Sequence, residues 1–227
     1  GREVRKAFIP RDNNHVLLSA DYSQVELRLI AEMSEDPVMV EAFQKGLDIH
    51  AATASKVFNI PLEGVTREMR SNAKTVNFGI IYGVSAFGLS QQSSLSRKEA
   101  GEIIKNYFTT YPKLKEYMDA NIAFAREHGY VKTIMNRKRR LKDINSRNAV
   151  VRGHAERNAI NAPVQGSAAD VIKLAMIKIQ EEIDVLGLQS KMLLQVHDEL
   201  VFDVLKTELP TLKKLIKETM EGVLDSN

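Results

Sequence analysis

No cysteine occurs in the 227 residues. Disulfides are thereby excluded, together with every zinc site built on thiolates, and the chain fits a reducing compartment. Long apolar runs are missing too: no stretch is long enough to span a bilayer. The opening GREVRKAFIP lacks the apolar core of a signal peptide. HDEL at 197–200 has the form of a retention tag, but such a tag is read only at an extreme C-terminus, and the chain runs on past it. Internal repeats and low-complexity linkers are absent. Strong net charge is absent as well, with 32 basic residues against 29 acidic. What remains, 44% hydrophobic and 27% charged, is the balance of a globular chain able to bury a core in one or two domains.

The charge is unevenly spread. RKRRLKDINSRNAVVRGHAER gathers Arg137, Lys138, Arg139, Arg140, Lys142, Arg147, Arg152 and Arg157. Either this is a solvated surface or it tracks a run of phosphates. Around it the chain reads as mostly helical. HVLLSA reads as a buried strand, followed by a helix in SQVELRLIAEMS capped by Ser23. Helices continue to about residue 58, and Thr66 caps another that starts near Arg67. Further helices are expected at about 96–110 and 112–128. GYVKTIMNRKRRL reads as a small hairpin or extended arm. A long helix over about 147–186 is expected to be interrupted near Pro163 and Gly166. KMLLQVHDELVFDV has a hairpin signature, and an amphipathic helix over about 207–224 follows. The pattern predicts an α+β chain: a small sheet carrying helices, with a mostly helical insertion.

Two constellations carry chemistry. In REMRSNAKTVNFGIIYG, Arg70, Lys74, Phe78 and Tyr82 recur every four residues and sweep one broad helix face. Two cations precede two aromatics, a face that suits a polyanion at one end and a stacked ring at the other; alternatively the aromatics are core and the cations solvated. Gly79 and Gly83 are costly in a helix interior and suggest a close approach to the backbone. Both glycine-rich phosphate loops, GxxxxGK[ST] and GxGxxG, are absent, so a triphosphate here must be held by side chains and metal. The second constellation is acidic. Asp21 ends an apolar strand, and Asp198 and Glu199 sit at the hairpin tip. If those strands are neighbours, the two aspartates meet and repel. A divalent cation resolves the repulsion, and oxygen ligands favour Mg2+. Two such ions about 3.5–4 Å apart suit in-line phosphoryl transfer.

DYSQVELRLIAEMS, RSNAKTVNFGIIYG and QVHDELVFD resemble, in order, the three polymerase motifs of family A DNA polymerases, the bacterial DNA polymerase I group. The likeness covers nearly the whole chain. It implies a right-hand polymerase with a palm of small antiparallel sheet and helices at residues 1–33 and 157–227, and mostly helical fingers at 34–156. It implies template-directed synthesis from dNTPs on primer–template DNA, by a monomer in the bacterial cytoplasm, associated with the nucleoid, serving replication and repair.

Residue by residue, the resemblance makes Asp21 and Asp198 ligands of two Mg2+ ions, with the backbone carbonyl of Tyr22 as a further ligand and Glu199 as a neighbour that tunes the site. Glu26 resembles the acid that packs under the incoming sugar and blocks a 2′-hydroxyl. Arg70, Lys74 and His50 match residues that grip the triphosphate, with Lys74 also able to protonate departing pyrophosphate. Phe78 lines the sugar pocket, and Phe rather than Tyr there implies poor acceptance of dideoxynucleotides. Tyr82 is expected at the templating position. Arg157, Asn161 and Gln165 resemble residues on the minor-groove side of the duplex, and His197 one near the primer terminus. Nothing resembles the family's thumb or nuclease domains. The chain is therefore expected to be a palm-and-fingers fragment with weak or no synthesis by itself. The alternative is a catalytically silent nucleic-acid-binding module on the same scaffold.

Overall fold

The computed structural model describes residues 2–93 and 95–224. Residue 94 and the chain ends, including the last three residues of the expected palm, lie outside them. In chain order the first elements are α1 (Arg2–Arg5), β1 (His15–Asp21), α2 (Val25–Ser34), α3 (Pro37–Gln44), α4 (Ile49–Val57), α5 (Arg67–Ile81) and α6 (Ala86–Gln92). They are followed by α7 (Arg97–Thr110), α8 (Pro112–His128), β2 (Tyr130–Lys132), β3 (Lys138–Arg140), α9 (Ala149–Val185), β4 (Lys191–Val196), β5 (Glu199–Leu205) and α10 (Leu209–Gly222). The fold is α+β, with small antiparallel sheets and a large majority of helix. The chain separates into two compact units, residues 1–25 with 168–227, and residues 26–167.

The first unit is built on a three-stranded antiparallel sheet of order β1-β5-β4. The central strand β5 buries Leu200, Phe202 and Val204. Their period of two puts them on one face. Helix α10 packs on β5 and buries Leu212, Ile216 and Met220, the four-residue spacing of an amphipathic helix. β1 pairs with β5 from His15↔Leu205 to Asp21↔Glu199 without a break. The β4–β5 ladder shifts register between Met192 and Leu194. The second unit is helical apart from the β2–β3 hairpin. Its α5 buries Ala73, Val76, Asn77, Ile80 and Ile81, an i, i+3, i+4, i+7, i+8 stripe. Thr66 caps α5 by accepting from the Met69 N–H. Ser96 and Glu99 form a reciprocal capping box at α7.

Two expectations are corrected and a third is refined. Ser23 does not stand at the cap of α2: Gln24 intervenes at φ 57°, and the helix begins at Val25. α9 is not interrupted, but runs through Pro163 and Gly166 as one helix. The Ser167 hydroxyl donates to the Pro163 carbonyl (2.6 Å), and an Arg137 guanidinium N–H donates to the Gly166 carbonyl (2.9 Å). Gly79 in α5 and Gly83, which lies past the end of that helix, are indeed crowded, but by this chain. A Cβ on Gly79 would lie 2.7 Å from Val84 Cγ1, and one on Gly83, at φ 67°, would lie 2.8 Å from Arg157 Cγ.

Gly166 answers to the same logic. A Cβ there would come within 2.4 Å of Thr133 Cγ2, and Thr133 is pinned by hydrogen bonds with Arg137 and Asn136. Gly166→Ala gains about 1 kcal/mol in helix propensity but incurs about 1–3 kcal/mol of overpacking. The expected result is net destabilisation in urea titration; a more stable variant would contradict it.

Candidate active site

The acidic edge lies wholly in the first unit. β4 and β5 are joined by His197 and Asp198 alone, and His197 takes φ 56° to make the turn, a conformation uncommon outside glycine. β1 brings Asp21 opposite Glu199. The Tyr22 N–H then donates to the Asp198 carbonyl at 3.3 Å. The Tyr22 hydroxyl donates to the Met220 carbonyl of α10 (2.7 Å), and burial pushes that phenol up to about 12. The backbone after Asp21 is thereby tied at both ends of one residue. Glu199 accepts from the Ser19 hydroxyl (2.5 Å) and pairs with Arg5 at 3.4 Å.

Burial, then the neighbouring Asp21 carboxylate, raise the Asp198 carboxyl above the ordinary aspartate value, and His197 opposes them only in part. This is the signature of two like charges held together. A cation relieves it. The paired carboxylates offer only oxygen, a donor chemistry that fits Mg2+, an ion that keeps waters and substrate phosphates in its shell. Among the described residues no group of three or more His, Asp or Glu side chains is placed to hold a metal.

The second unit holds the cation-and-aromatic face. Arg70 and Lys74 are exposed, Phe78 is half-buried and Tyr82 is 40% exposed, opposite the buried stripe of α5. The reading of both aromatics as core is therefore excluded. Arg70 Nε and Nη2 donate to Asp48 Oδ2 at 2.9 and 2.7 Å. Asp48 Oδ1 accepts the N–H groups of His50 and Ala51 and so caps α4. Burial opposes ionisation of Asp48, but Arg70 and these N–H donors outweigh it and hold the carboxyl below its usual range. Sequence reasoning passed over Asp48, although an aspartate directly before a helix is a cap signal. Lys74 makes no ion pair among the described residues. Tyr82, just past the end of α5, donates its hydroxyl proton to Glu26 Oε2 at 2.9 Å.

Arg157, Asn161 and Gln165 lie one turn apart on α9 and so share a face. Phe78, Tyr82, Gly83, Ser85, Gly88 and Arg157 line an open cavity of about 570 Å³. The basic run is partly neutralised: Glu156 meets Arg126 at 2.6 Å and Arg152 at 3.7 Å. Lys138 to Arg140 form an exposed strand.

His50 is only 2% exposed. Burial lowers its pKa below the ordinary histidine value; Asp48 opposes this, and Arg70 and Lys74 add to it. The unfolded chain therefore takes up this proton first. The associated stability is complete above pH about 6.5 and is lost as pH falls towards the folded value. In urea titrations at pH 7.5 and 5, His50→Gln should weaken the acid-side loss. An unchanged difference between the two pH values would contradict it.

One unit thus carries paired aspartates at the edge of a small antiparallel sheet, and the other a helix presenting cations and then aromatics. The family model for "DNA polymerase family A" matches residues 1–226, and the chain belongs to that family. It is 54% identical over 225 residues to DNA polymerase I of Streptococcus pneumoniae strain R6, covering 99% of this chain and 26% of that protein. It is 49% identical over 221 residues to DNA polymerase I of Geobacillus stearothermophilus, covering 97% of this chain and 25% of that one. The chain thus spans about a quarter of the length of these curated relatives. A solved structure, the POL domain of Pol1 from M. smegmatis in complex with DNA primer-template and dNTP, superposes with a TM-score of 0.92. Identity is 42%, over 98% of this chain and 39% of that one.

Proposed function

We propose that the chain carries the synthetic chemistry of a DNA-directed DNA polymerase: transfer of a nucleotidyl group from a dNTP to a primer 3′-hydroxyl, with release of pyrophosphate, in replication and repair. Its partners are primer–template DNA and dNTPs, and it works as a monomer in the bacterial cytoplasm at the nucleoid. The observation that carries this reading is the in-register meeting of Asp21 with the Asp198–Glu199 turn. We assign the palm to 1–33 and 157–227 and the fingers to 34–156. The contact boundaries at 25/26 and 167/168 fall within continuous helices, where a helix shared by two subdomains has no sharp border.

Asp21, Asp198 and the Tyr22 carbonyl would hold two Mg2+ ions, with Glu199 fixing the surrounding charge. Bound magnesium supplies charge neutralisation on the phosphates and lowers the pKa of the attacking hydroxyl. Arg70, Lys74 and His50 hold the triphosphate, and Lys74 gives a proton to the leaving pyrophosphate. Phe78 lines the sugar site and Glu26 excludes a 2′-hydroxyl. Tyr82 occupies the templating position in the open state, where its bond to Glu26 keeps it until the nucleotide arrives. Arg157, Asn161 and Gln165 contact the minor-groove side, whose acceptors are common to all base pairs, and His197 contacts the primer end. Catalysis is then mostly positioning and charge stabilisation.

The test is primer extension with Mg2+ by a full-length family relative in which this chain replaces the matching stretch. Extension by one nucleotide per complementary dNTP supports the reading. DNA binding without extension supports a silent binding module instead.

A further inference from the structure

Four polar side chains form a buried chain in the second unit: Thr53 and Asn77 are 0% exposed, Tyr111 1% and His50 2%. Thr53 Oγ1 lies 2.9 Å from the Tyr111 hydroxyl and 3.2 Å from Asn77 Oδ1, and Asn77 Nδ2 lies 3.0 Å from His50 Nδ1. Buried polar groups must pair, and counting protons decides the direction. Among the described residues, Thr53 is the only hydrogen-bond partner of the Tyr111 hydroxyl. Burial raises the Tyr111 pKa, so the phenol keeps its proton and spends it on Thr53. Thr53 has one proton of its own and gives it to Asn77 Oδ1. The Asn77 amide is thereby turned with its NH2 towards His50, and donates to Nδ1. A ring nitrogen that accepts carries no proton. The flipped amide fails the count: Thr53 would donate to Tyr111, and the buried phenol proton would have no acceptor.

We infer that Asn77, oriented by Thr53 and Tyr111, is a positioning residue that fixes the His50 ring with Nδ1 as acceptor and its proton at Nε2, so that the ring offers one N–H donor to a phosphate. The phosphate clause rests on the polymerase reading; the ring assignment does not. Protonating His50 would set Nδ1–H against the Asn77 NH2, two donors face to face. Asp48 before α4 favours the cation, while burial and the Arg70 and Lys74 charges on α5 disfavour it, so the network and its surroundings pull the same way apart from Asp48.

The experiment is long-range 1H–15N NMR of the full chain labelled on histidine, with the His50 signals assigned by their loss in His50→Gln. Wild type should show the Nε2–H tautomer. Thr53→Val, which removes the hydroxyl that orients the amide, should let the Nδ1–H form appear. Asn77→Asp, which replaces the donor by an acceptor for Nδ1–H, should raise the proton affinity of His50 about tenfold or more, as a charge-assisted hydrogen bond does. Retained urea transitions establish that both variants fold. An Nδ1–H ring in wild type, or an unchanged tautomer and midpoint in both variants, overturns the assignment. Tripolyphosphate is the separate probe. If it shifts the wild-type His50 signals, the phosphate clause is supported. If the ring is Nε2–H but tripolyphosphate leaves it unmoved, the phosphate clause fails while the positioning by Asn77 stands.

Discussion

Asp198→Asn, in a full-length relative carrying this chain, lowers the rate of DNA synthesis by about 10³-fold or more, at least ~4 kcal/mol of transition-state stabilisation. Asparagine keeps the shape of the side chain and removes only the charge. The substitution acts where β1 and β5 end in register, with the Tyr22 N–H bonded to the Asp198 carbonyl; those backbone contacts persist in the variant. Stability should move the other way. The folded-state pKa of Asp198 is raised by burial and by Asp21, so folding favours its neutral form and the ionised form costs stability at neutral pH. Without metal, Asp198→Asn should therefore be slightly more stable than wild type at pH 7. Because the group is exposed to solvent, screening limits the gain to a few tenths of a kcal/mol. The gain disappears below pH about 3.8, where the aspartate is neutral in both states. Synthesis assays and urea titrations read the two effects separately. Undiminished synthesis by the variant would remove the proposed role of Asp198.

The second large effect is expected at Lys74. It is exposed on α5 and makes no ion pair among the described residues, whereas Arg70 one turn earlier is already bonded twice to Asp48. A general acid contributes about 10²–10⁴-fold, so Lys74→Ala should lower kcat by about that factor. Arg70→Ala removes charge-assisted binding worth about 1.5–3 kcal/mol. It should act mainly on the KM for dNTP, by about ten- to a hundredfold. Arg70 must exchange its bonds to Asp48 for bonds to phosphate, which offsets part of its contribution. Steady-state kinetics on both variants separate the roles. Equal losses in kcat for both would contradict the assignment of Lys74 as the acid.

Much of this fold can be read from local signals. Thr66 and Ser96 stand where hydroxyl caps belong, and the HDEL turn sits between two apolar strands. What escaped were features decided at a distance. α6, a seven-residue helix, buries only Leu89, so it carries no apolar stripe to detect. α9 runs unbroken through Pro163 although proline signals a break, and Arg137, which bonds the Gly166 carbonyl, lies far along the chain from it. Gln24 takes a left-handed conformation that no propensity predicts.

In the site, the four-residue spacing of Arg70, Lys74, Phe78 and Tyr82 was visible in the sequence, because helical geometry alone sets it. The meeting of Asp21 with Asp198 was legible only on the condition that their strands are neighbours, or through the family resemblance, because strand register depends on the partner strand. Asn77 left a trace that could have been followed: an amide inside the otherwise apolar stripe of α5 must find buried partners.

The paired aspartates are tested most directly by anomalous diffraction from crystals grown with Mn2+ and a non-hydrolysable dNTP. The expected density is manganese bound by carboxylate oxygens of both Asp21 and Asp198, with the Tyr22 carbonyl in its shell. Manganese elsewhere, or contacting neither aspartate at saturating concentration, would contradict a shared metal site at the end of β1.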